Sequence, residues 1–134
     1  MNLYDIFNPI QDVDYYEKSI VTNCFIHMLS DDNINLNIFY HLIENNGVGG
    51  DIDWGVEKWS VDSLTDHGIK DYYDGYLFYI GPEEHGKFDE GEWQVILKKE
   101  QIIPFISCIV NYYSNLENSN VDKFVLLAKN NGFY

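Results

Sequence analysis

The five-residue run YLFYI, Tyr76–Ile80, is the feature that most limits how this chain can fold. It is apolar on both faces and is bounded by Gly75 and by Gly81–Pro82, a pattern typical of a strand between two turns. Residues 93–98 (WQVILK) predict another strand, because alternate residues are apolar on one face. The polar stretch between them, residues 81–92 (GPEEHGKFDEGE), predicts a long hairpin connection. The chain is therefore expected to contain an antiparallel sheet.

Helical spacing of apolar residues predicts helices before and after these strands. Residues 14–29 and 33–45 predict two helices before the sheet, the second of which stops at Asn45–Asn46–Gly47. Residues 100–116 are apolar nearly all round, so they predict the central buried helix, with Pro104 in its first turn. A final helix follows a cap at residues 118–120, turns Val121, Phe124, Val125 and Ala128 inward, and ends at Gly132.

The part of the chain just before Tyr76 gives weaker signals. Residues 48–55 (VGGDIDWG) predict a loop because of their glycines, and residues 56–61 predict one more strand. The predicted order is two N-terminal helices, a small antiparallel sheet and two C-terminal helices, which defines an α+β fold. With 134 residues, 46% of them apolar, the whole chain (1–134) is expected to form a single domain with a real core.

Acidic and aromatic residues are concentrated in the middle of the chain. Residues 51–92 hold twelve of the 22 carboxylates but only three lysines, and so carry −9 of the net charge of −14. This charge density costs stability through self-repulsion and repels nucleic-acid phosphates, so we infer a partner of opposite charge. Carboxylates steer such a partner, and large rings supply contact area. The stretch therefore predicts a surface that binds a basic protein.

Sequence motifs for catalysis or for metal and cofactor binding are missing. The chain has no H-E-x-x-H, C-x-x-C, G-x-S-x-G or Walker pattern, so no catalytic, cofactor-binding or metal-ligating residue is predicted. His67 and His85 each lie next to acidic residues, and a small enzyme that uses one of them remains an alternative. The acids at 51–53 and 89–92 would bind a hard cation only if the fold brought them together, and residues 31–35 are interpreted as a helix cap.

The cellular setting is also predicted from the sequence. The N-terminus has no basic region followed by an apolar run, and no apolar stretch reaches the length of a membrane span. Cys24 and Cys108 lie in helical patterns, where buried thiols in a reducing compartment are expected. We therefore expect a cytoplasmic protein that needs no cofactor and does not bind membranes.

The stretch YLFYIGPEEHGKFDEGEWQVILKKEQIIPFI, within residues 72–116, resembles bacterial toxin-immunity proteins. It is most similar to the immunity proteins of contact-dependent growth inhibition systems that neutralise ribonuclease toxins. The shared pattern is a tyrosine-rich strand, an acidic glycine-containing loop, a W-x-V-I strand and a helix that begins directly at K-E-Q. The resemblance implies a protein without catalytic activity that binds a toxin domain and blocks its active site.

Two other function classes stay open beside the immunity protein. One is a different acidic inhibitor, such as a nucleic-acid mimic, and the other is the small enzyme with a loop histidine. For the immunity protein we expect a basic nuclease domain as partner and no direct contact with nucleic acid. The candidate partner-binding residues are Asp51, Asp53, Trp54, Asp66, Asp71, Tyr72, Tyr73, Asp74, Glu83, Glu84, Phe88, Asp89, Glu90 and Glu92.

Overall fold

A four-stranded antiparallel sheet, with its strands in chain order, lies at the centre of the fold. The computed structural model describes residues 2–44, 47–51 and 53–134, without the side chains of residues 49–51. The strands are β1 (Gly47–Asp51), β2 (Trp54–Lys58), β3 (Tyr76–Ile80) and β4 (Trp93–Leu97). Because β3 pairs with β2 on one side and β4 on the other, it is an interior strand. This explains why all five of its residues are buried.

Six α-helices surround the sheet in the described part of the chain. They are α1 (Tyr15–Ile26), α2 (Leu36–Glu44), α3 (Val61–His67), α4 (Pro82–His85), α5 (Lys99–Ser114) and α6 (Val121–Asn130), and a 3-10 turn Leu3–Asp5 precedes them. The expected α+β class is confirmed, with α1 and α2 before the sheet and α5 and α6 after it. Two short helices were not predicted: α3 lies between β2 and β3 along the chain, and α4 lies between β3 and β4. None of the helices in the described part is long and apolar enough to cross a bilayer.

The two faces of the sheet differ in what covers them. Val56, Phe78 and Val95 align across β2, β3 and β4 and belong to the main core, as do Tyr76 and Ile80. This core face packs against the long helices, with the Phe25 ring of α1 5.6 Å from that of Phe78. The opposite face, called the second face below, carries the β3 residues Leu77 and Tyr79 and is approached by α3.

The burial predicted for the helix at residues 100–116 is found on one side of α5, whereas α1 is the helix that packs across β2, β3 and β4. Phe105 and Ile109 are fully buried, and Ile106 is 4% exposed. Pro104 lies in the second turn and not in the first, because α5 already begins at Lys99. Its side chain is on the exposed side of the helix, where water can satisfy the carbonyl left without a partner.

The predicted loop at residues 48–55 is wrong, since most of this segment forms the β1–β2 hairpin. The glycines of this segment favoured a loop in the prediction. One of them, Gly55, is instead required within strand β2. A Cβ added at Gly55 would lie 2.2 Å from Oη and 2.4 Å from Cζ of Tyr79. The glycine thus makes room for the Tyr79 ring on the second face.

The strand predicted at residues 56–61 is displaced. β2 begins earlier, at Trp54, and ends at Lys58, and Val61 already begins α3. The side chain of Ser60 accepts from the N–H of Asp62 and that of Ser63 accepts from the N–H of Ser60, at 3.2 and 3.1 Å. This reciprocal cap starts a helix where β-branched residues had favoured a strand.

The ends of α2 and α6 also differ from the prediction. α2 begins at Leu36, capped by Asn35, whose Oδ1 accepts from the N–H of Ile38 at 3.2 Å. The stop predicted at Asn45–Asn46 lies outside the described residues. Asn120 lies at the N-cap of α6, but its side chain bonds both backbone groups of Ile34, at 2.9 and 2.7 Å. On α6, Phe124 and Ala128 are buried as expected, while Val121 and Val125 are partly buried.

Both cysteines are buried free thiols, as expected from the helical patterns. The Sγ of Cys24 lies 3.5 Å from the Tyr79 carbonyl and 3.6 Å from that of Gly55. Burial raises the pKa of the Cys24 thiol far above its usual range, and it also raises the pKa of Cys108. Neither thiol is therefore activated as a nucleophile.

Candidate functional site

Residues 81–92, called the acidic loop below, join β3 to β4 at one end of the sheet. The register pairs Ile80 with Trp54 and with Trp93, so these three residues lie side by side and define the loop end of the sheet. The turn before β2 lies at the same end, because the N–H of Gly81 donates to the carbonyl of Asp53 at 2.7 Å. The acidic loop contains five carboxylates and one lysine. Negative charge is therefore concentrated at the loop end.

The backbone of the acidic loop has a defined shape. It starts with α4 and leaves that helix at Gly86, which has a left-handed φ of 76°. A turn follows in which the N–H of Glu90 donates to the carbonyl of Lys87 at 2.9 Å, and Gly91 adopts a φ of 70°. This turn presents the Phe88 ring, which is 68% exposed, among exposed carboxylates.

His27 attaches the beginning of the acidic loop to the body of the protein. It follows α1 directly, and its Nε2 lies 2.6 Å from Oε1 of Glu84. The imidazole stacks on the Trp54 ring, with centroids 4.6 Å apart and planes 10° apart. This one side chain therefore connects α1, β2 and α4.

His67 attaches the end of the acidic loop on the second face. Its Nδ1 lies 2.6 Å from Oε1 of Glu92, its Nε2 lies 3.4 Å from Oε1 of Glu57, and its side chain is only 7% exposed. The ring lies over Tyr79, with centroids 4.2 Å apart. The amide of Gln94 donates to the His67 carbonyl and to Glu92, at 2.9 and 2.7 Å. Both ring nitrogens thus lie near carboxylates.

His85 holds the centre of the acidic loop. Its Nε2 lies 2.6 Å from the carbonyl oxygen of Gly91, and the N–H of Lys87 donates to its Nδ1 at 3.0 Å. Because a carbonyl only accepts and a backbone N–H only donates, this geometry requires the neutral ring with its proton on Nε2. The ring also stacks on Trp93 at 4.1 Å. His85 is therefore part of the turn itself.

The three histidine clamps (His27, His67 and His85) share one design. Each ring lies against an aromatic side chain of a different strand: Trp54 of β2, Tyr79 of β3 and Trp93 of β4. Each also bonds a group in the acidic loop. The loop is thus organised before any partner binds.

Glu57 and Tyr79, beside His67, have raised pKa values. Burial raises the pKa of Glu57 above its usual value of 4.5, against the opposing effect of His67, and the negative charge of Asp66 raises it further. The Oε1 of Glu57 is buried without a well-directed hydrogen bond, since the nearby His67 nitrogen lies off the bonding direction. Burial, followed by the charge of Glu57, also raises the pKa of the Tyr79 phenol, so it stays protonated near neutral pH.

The structure brings together only part of the predicted binding site. At the loop end lie Asp53, Trp54, Glu83, Glu84, Phe88, Asp89, Glu90 and Glu92, while Asp66 lies on α3 next to His67. Asp71, Tyr72, Tyr73 and Asp74 precede Tyr76 and lie toward the other end of β3. With a rise of about 3.3 Å per residue, β3 separates its two ends by about 13 Å, more than the Debye length of about 8 Å. The side chain of Asp51 lies outside the described part of the chain.

The residues toward the far end of β3 form a less acidic surface with different contacts. Tyr73 is half-buried, and its hydroxyl donates to the Glu57 carbonyl at 3.3 Å. Tyr72 is 71% exposed beside the ring of Trp59. Lys58 pairs with Tyr76 and lies over its ring, so positive charge is present at this end. Of the two ends of β3, the loop end therefore carries the more concentrated negative charge.

The alternative of a loop-histidine enzyme gains no support from the described cavities. A polar groove of about 320 Å³ lies along α1 and the N-terminal turn, lined by Tyr4, Asn8, Tyr15, Lys18, Ser19, Thr22 and Asn23. A second cavity lies inside the apolar core. Neither is lined by His67 or His85. Within the described ranges, no group of three His, Cys, Asp or Glu side chains is arranged to hold a metal ion.

No role was predicted for His27 from the sequence. For His67 and His85 only a possible catalytic role was considered, and not a role in holding the acidic loop. The cap formed by Ser60 and Ser63 was a local signal for α3, the helix that positions His67. His27 offered no comparable signal, because its partner Glu84 lies 57 residues away.

Comparisons of the chain with protein-family models, curated proteins and solved structures find no match.

Proposed function

We propose that this chain is an immunity protein that captures a basic nuclease toxin domain at the loop end of the sheet and covers its active site. The observation that carries the proposal is the acidic loop itself. Its carboxylates and the exposed Phe88 ring are held in a defined shape by the three histidine clamps. The resemblance of residues 72–116 to immunity proteins of contact-dependent growth inhibition systems supports the same function.

The charge of the loop end suits an enzyme that binds nucleic acid. A nuclease must be positively charged where it holds phosphate, so an acidic surface is complementary to that region. Opposite fields also speed the encounter, which suits an inhibitor that must act before damage occurs. Glu83, Asp89 and Glu90 are the exposed carboxylates of the acidic loop, so they are best placed to attract an approaching basic surface.

The Phe88 ring supplies the apolar contact area that charged side chains alone do not provide. Interface affinity comes mostly from a few large side chains that enter desolvated pockets in the partner. Phe88 is 68% exposed and lies on a turn closed by the bond from Glu90 to Lys87. Because the turn is already formed, binding costs little ordering entropy.

The partner can be identified by a genetic test. The gene immediately upstream is expected to encode a large secreted protein with a C-terminal toxin domain. Expression of that domain in a bacterial host should arrest growth, and co-expression of this protein should restore it. Growth that stays arrested despite a stable, folded inhibitor would refute the proposed function.

The site can then be tested by association kinetics with the purified toxin domain. Asp89→Asn/Glu90→Gln removes two carboxylates from the acidic loop, and Asp71→Asn/Asp74→Asn removes two from the other end of β3 as the matched control. The loop variant should associate several-fold more slowly at low salt and respond less to added salt, because exposed charges govern encounter. Equal slowing in both variants would place the binding surface elsewhere.

A separate variant tests the aromatic anchor. Phe88→Ala should leave association nearly unchanged and accelerate dissociation roughly 30-fold, which corresponds to about 2 kcal/mol. Tyr72→Ala is the control, since that ring is equally exposed but lies toward the other end of β3. A larger effect of Tyr72→Ala would assign the anchor to that end.

A further inference from the structure

His85 differs from the other two clamps in the charge state that its contacts require. Its Nδ1 accepts from the N–H of Lys87 and its Nε2 donates to the carbonyl of Gly91. A proton added at Nδ1 would face the Lys87 N–H and remove the acceptor. The ring also stacks on Trp93 of β4, and the Tyr16 ring of α1 lies against Trp93 in turn. The turn around His85 is therefore built for neutral imidazole.

The clamps at His27 and His67 respond to protonation in the opposite way. His27 faces Glu84 from α4 and the Trp54 ring from β2. A proton on either histidine adds a positive charge beside a carboxylate and strengthens the contact.

The surroundings of His67 are the most acidic of the three. It faces Glu92 at the end of the acidic loop, Glu57 of β2 and the Tyr79 ring of β3, and Asp66 precedes it on α3. Carboxylates therefore lie near both ring nitrogens of His67. Acidification thus leaves both ends of the acidic loop attached while it weakens the centre.

We propose that the acidic loop is a pH-gated element, in which acidification opens the turn at residues 86–91 while Glu84 and Glu92 remain attached to His27 and His67. Histidine is the side chain that gains its proton between neutral pH and pH 5. Opening displaces Phe88 from its presented position and brings positive charge among the loop carboxylates. If the proposed function holds, on which only this consequence rests, capture of the basic partner weakens in acid.

The free protein provides the test, by NMR at pH 7.5 and pH 5. At pH 7.5 the ¹⁵N shifts of His85 should show a protonated Nε2 and an unprotonated Nδ1. At pH 5 the exchange protection of the Lys87 amide, corrected for the intrinsic rate, should fall roughly three- to tenfold, as expected for one lost hydrogen bond. The contacts of His27 with Glu84 and of His67 with Glu92 should persist.

Three variants separate this gate from general acid loosening. His85→Asn keeps an oxygen that can accept from the Lys87 N–H but cannot titrate, so protection should be similar at both pH values. His85→Ala should lack protection at both, and His41→Gln, on α2 outside the acidic loop, should leave the Lys87 response unchanged. Far-UV circular dichroism checks that each variant is folded. If a variant does not fold, the pH dependence of Lys87 protection in the wild-type protein still tests the proposal.

Two results would overturn the gate. One is wild-type Lys87 protection that is the same at pH 7.5 and pH 5, and the other is release of Glu84 or Glu92 before the turn opens. Because no partner is present, these outcomes are independent of the proposed function. With the toxin domain added, wild type should bind more weakly at pH 5.5 than at pH 7.5, and His85→Asn should lose most of that difference. Absence of binding at both pH values would instead refute the proposed function.

Discussion

Substitution of Gly55 by alanine tests the packing that positions His67. A Cβ at Gly55 would lie 2.2 Å from Oη, 2.4 Å from Cζ and 2.7 Å from Cε1 of Tyr79. Tyr79 is only 7% exposed, and the His67 ring lies 4.2 Å from it. The phenol ring must therefore move toward His67, which disturbs the 2.6 Å contact between His67 and Glu92.

The expected loss of stability has two parts. Overpacking of a well-packed region costs about 1–3 kcal/mol. Weakening of a hydrogen bond to a charged group, worth about 1.5–3 kcal/mol, adds part of its value. The smaller entropy of the unfolded alanine chain offsets about 0.4–1 kcal/mol. For Gly55→Ala we expect a net loss of about 1–4 kcal/mol, which lowers the Tm of a chain of this length by roughly 3–20 °C.

Thermal and urea unfolding measure this loss, with Gly47→Ala as the matched control. Gly47 is also a strand glycine of the β1–β2 hairpin, but a Cβ there would lie 3.3 Å from the Cβ of Glu57, so the change should stay within about 1 kcal/mol. On a Tyr79→Ala background, Gly55→Ala should become nearly neutral. If Gly55→Ala costs the same with and without the Tyr79 ring, the steric argument is refuted.

Three further predictions concern stability. Ile109→Asp should unfold the domain by burying an unpaired charge in α5, as the loss of cooperative melting would show, while Asn111→Asp on the exposed side should not. Burial raises the pKa of Glu57 in the folded protein, so the native state binds more protons above pH 4.5 and this group costs stability as the pH rises. Glu57→Gln should therefore stabilise the protein more at pH 7 than at pH 4, and equal effects in urea unfolding at the two pH values would contradict this. Tyr113→Phe removes the hydroxyl that donates to the carbonyl of Ser30 and should cost about 1 kcal/mol by urea unfolding, whereas an unchanged midpoint would mean that water replaces the bond.

Elements whose structure is decided locally were predictable from the sequence. The strand Tyr76–Ile80 has the predicted bounds, because its residues are apolar on both faces and glycines flank it. Helices α1 and α5 follow from apolar periodicity. Each of these signals lies within one stretch of chain, so no knowledge of distant contacts was needed.

Elements that depend on distant residues were not predictable in the same way. Pairing with β3 places Gly55 in a strand, and only glycine fits there because the Tyr79 ring, 24 positions along the chain, fills the space that a side chain would need. The glycines of residues 48–55 predicted a loop, whereas pairing of β1 with β2 and of β2 with β3 makes most of this segment part of the sheet. In this segment, tertiary packing overrides the local preference of glycine for loops.

The candidate site divides between sequence and structure in the same way. The sequence alone determined that residues 81–92 carry concentrated negative charge with an aromatic ring, since charge and composition need no coordinates. The predicted strand Tyr76–Ile80 also implied that residues 71–74 and the acidic loop lie at opposite ends of the sheet, a consequence that the grouping of site residues overlooked. Only the tertiary structure decided how the loop is held. His27 meets Glu84 across 57 positions and His67 meets Glu92 across 25, because strand pairing and helix packing bring together residues that no local pattern connects.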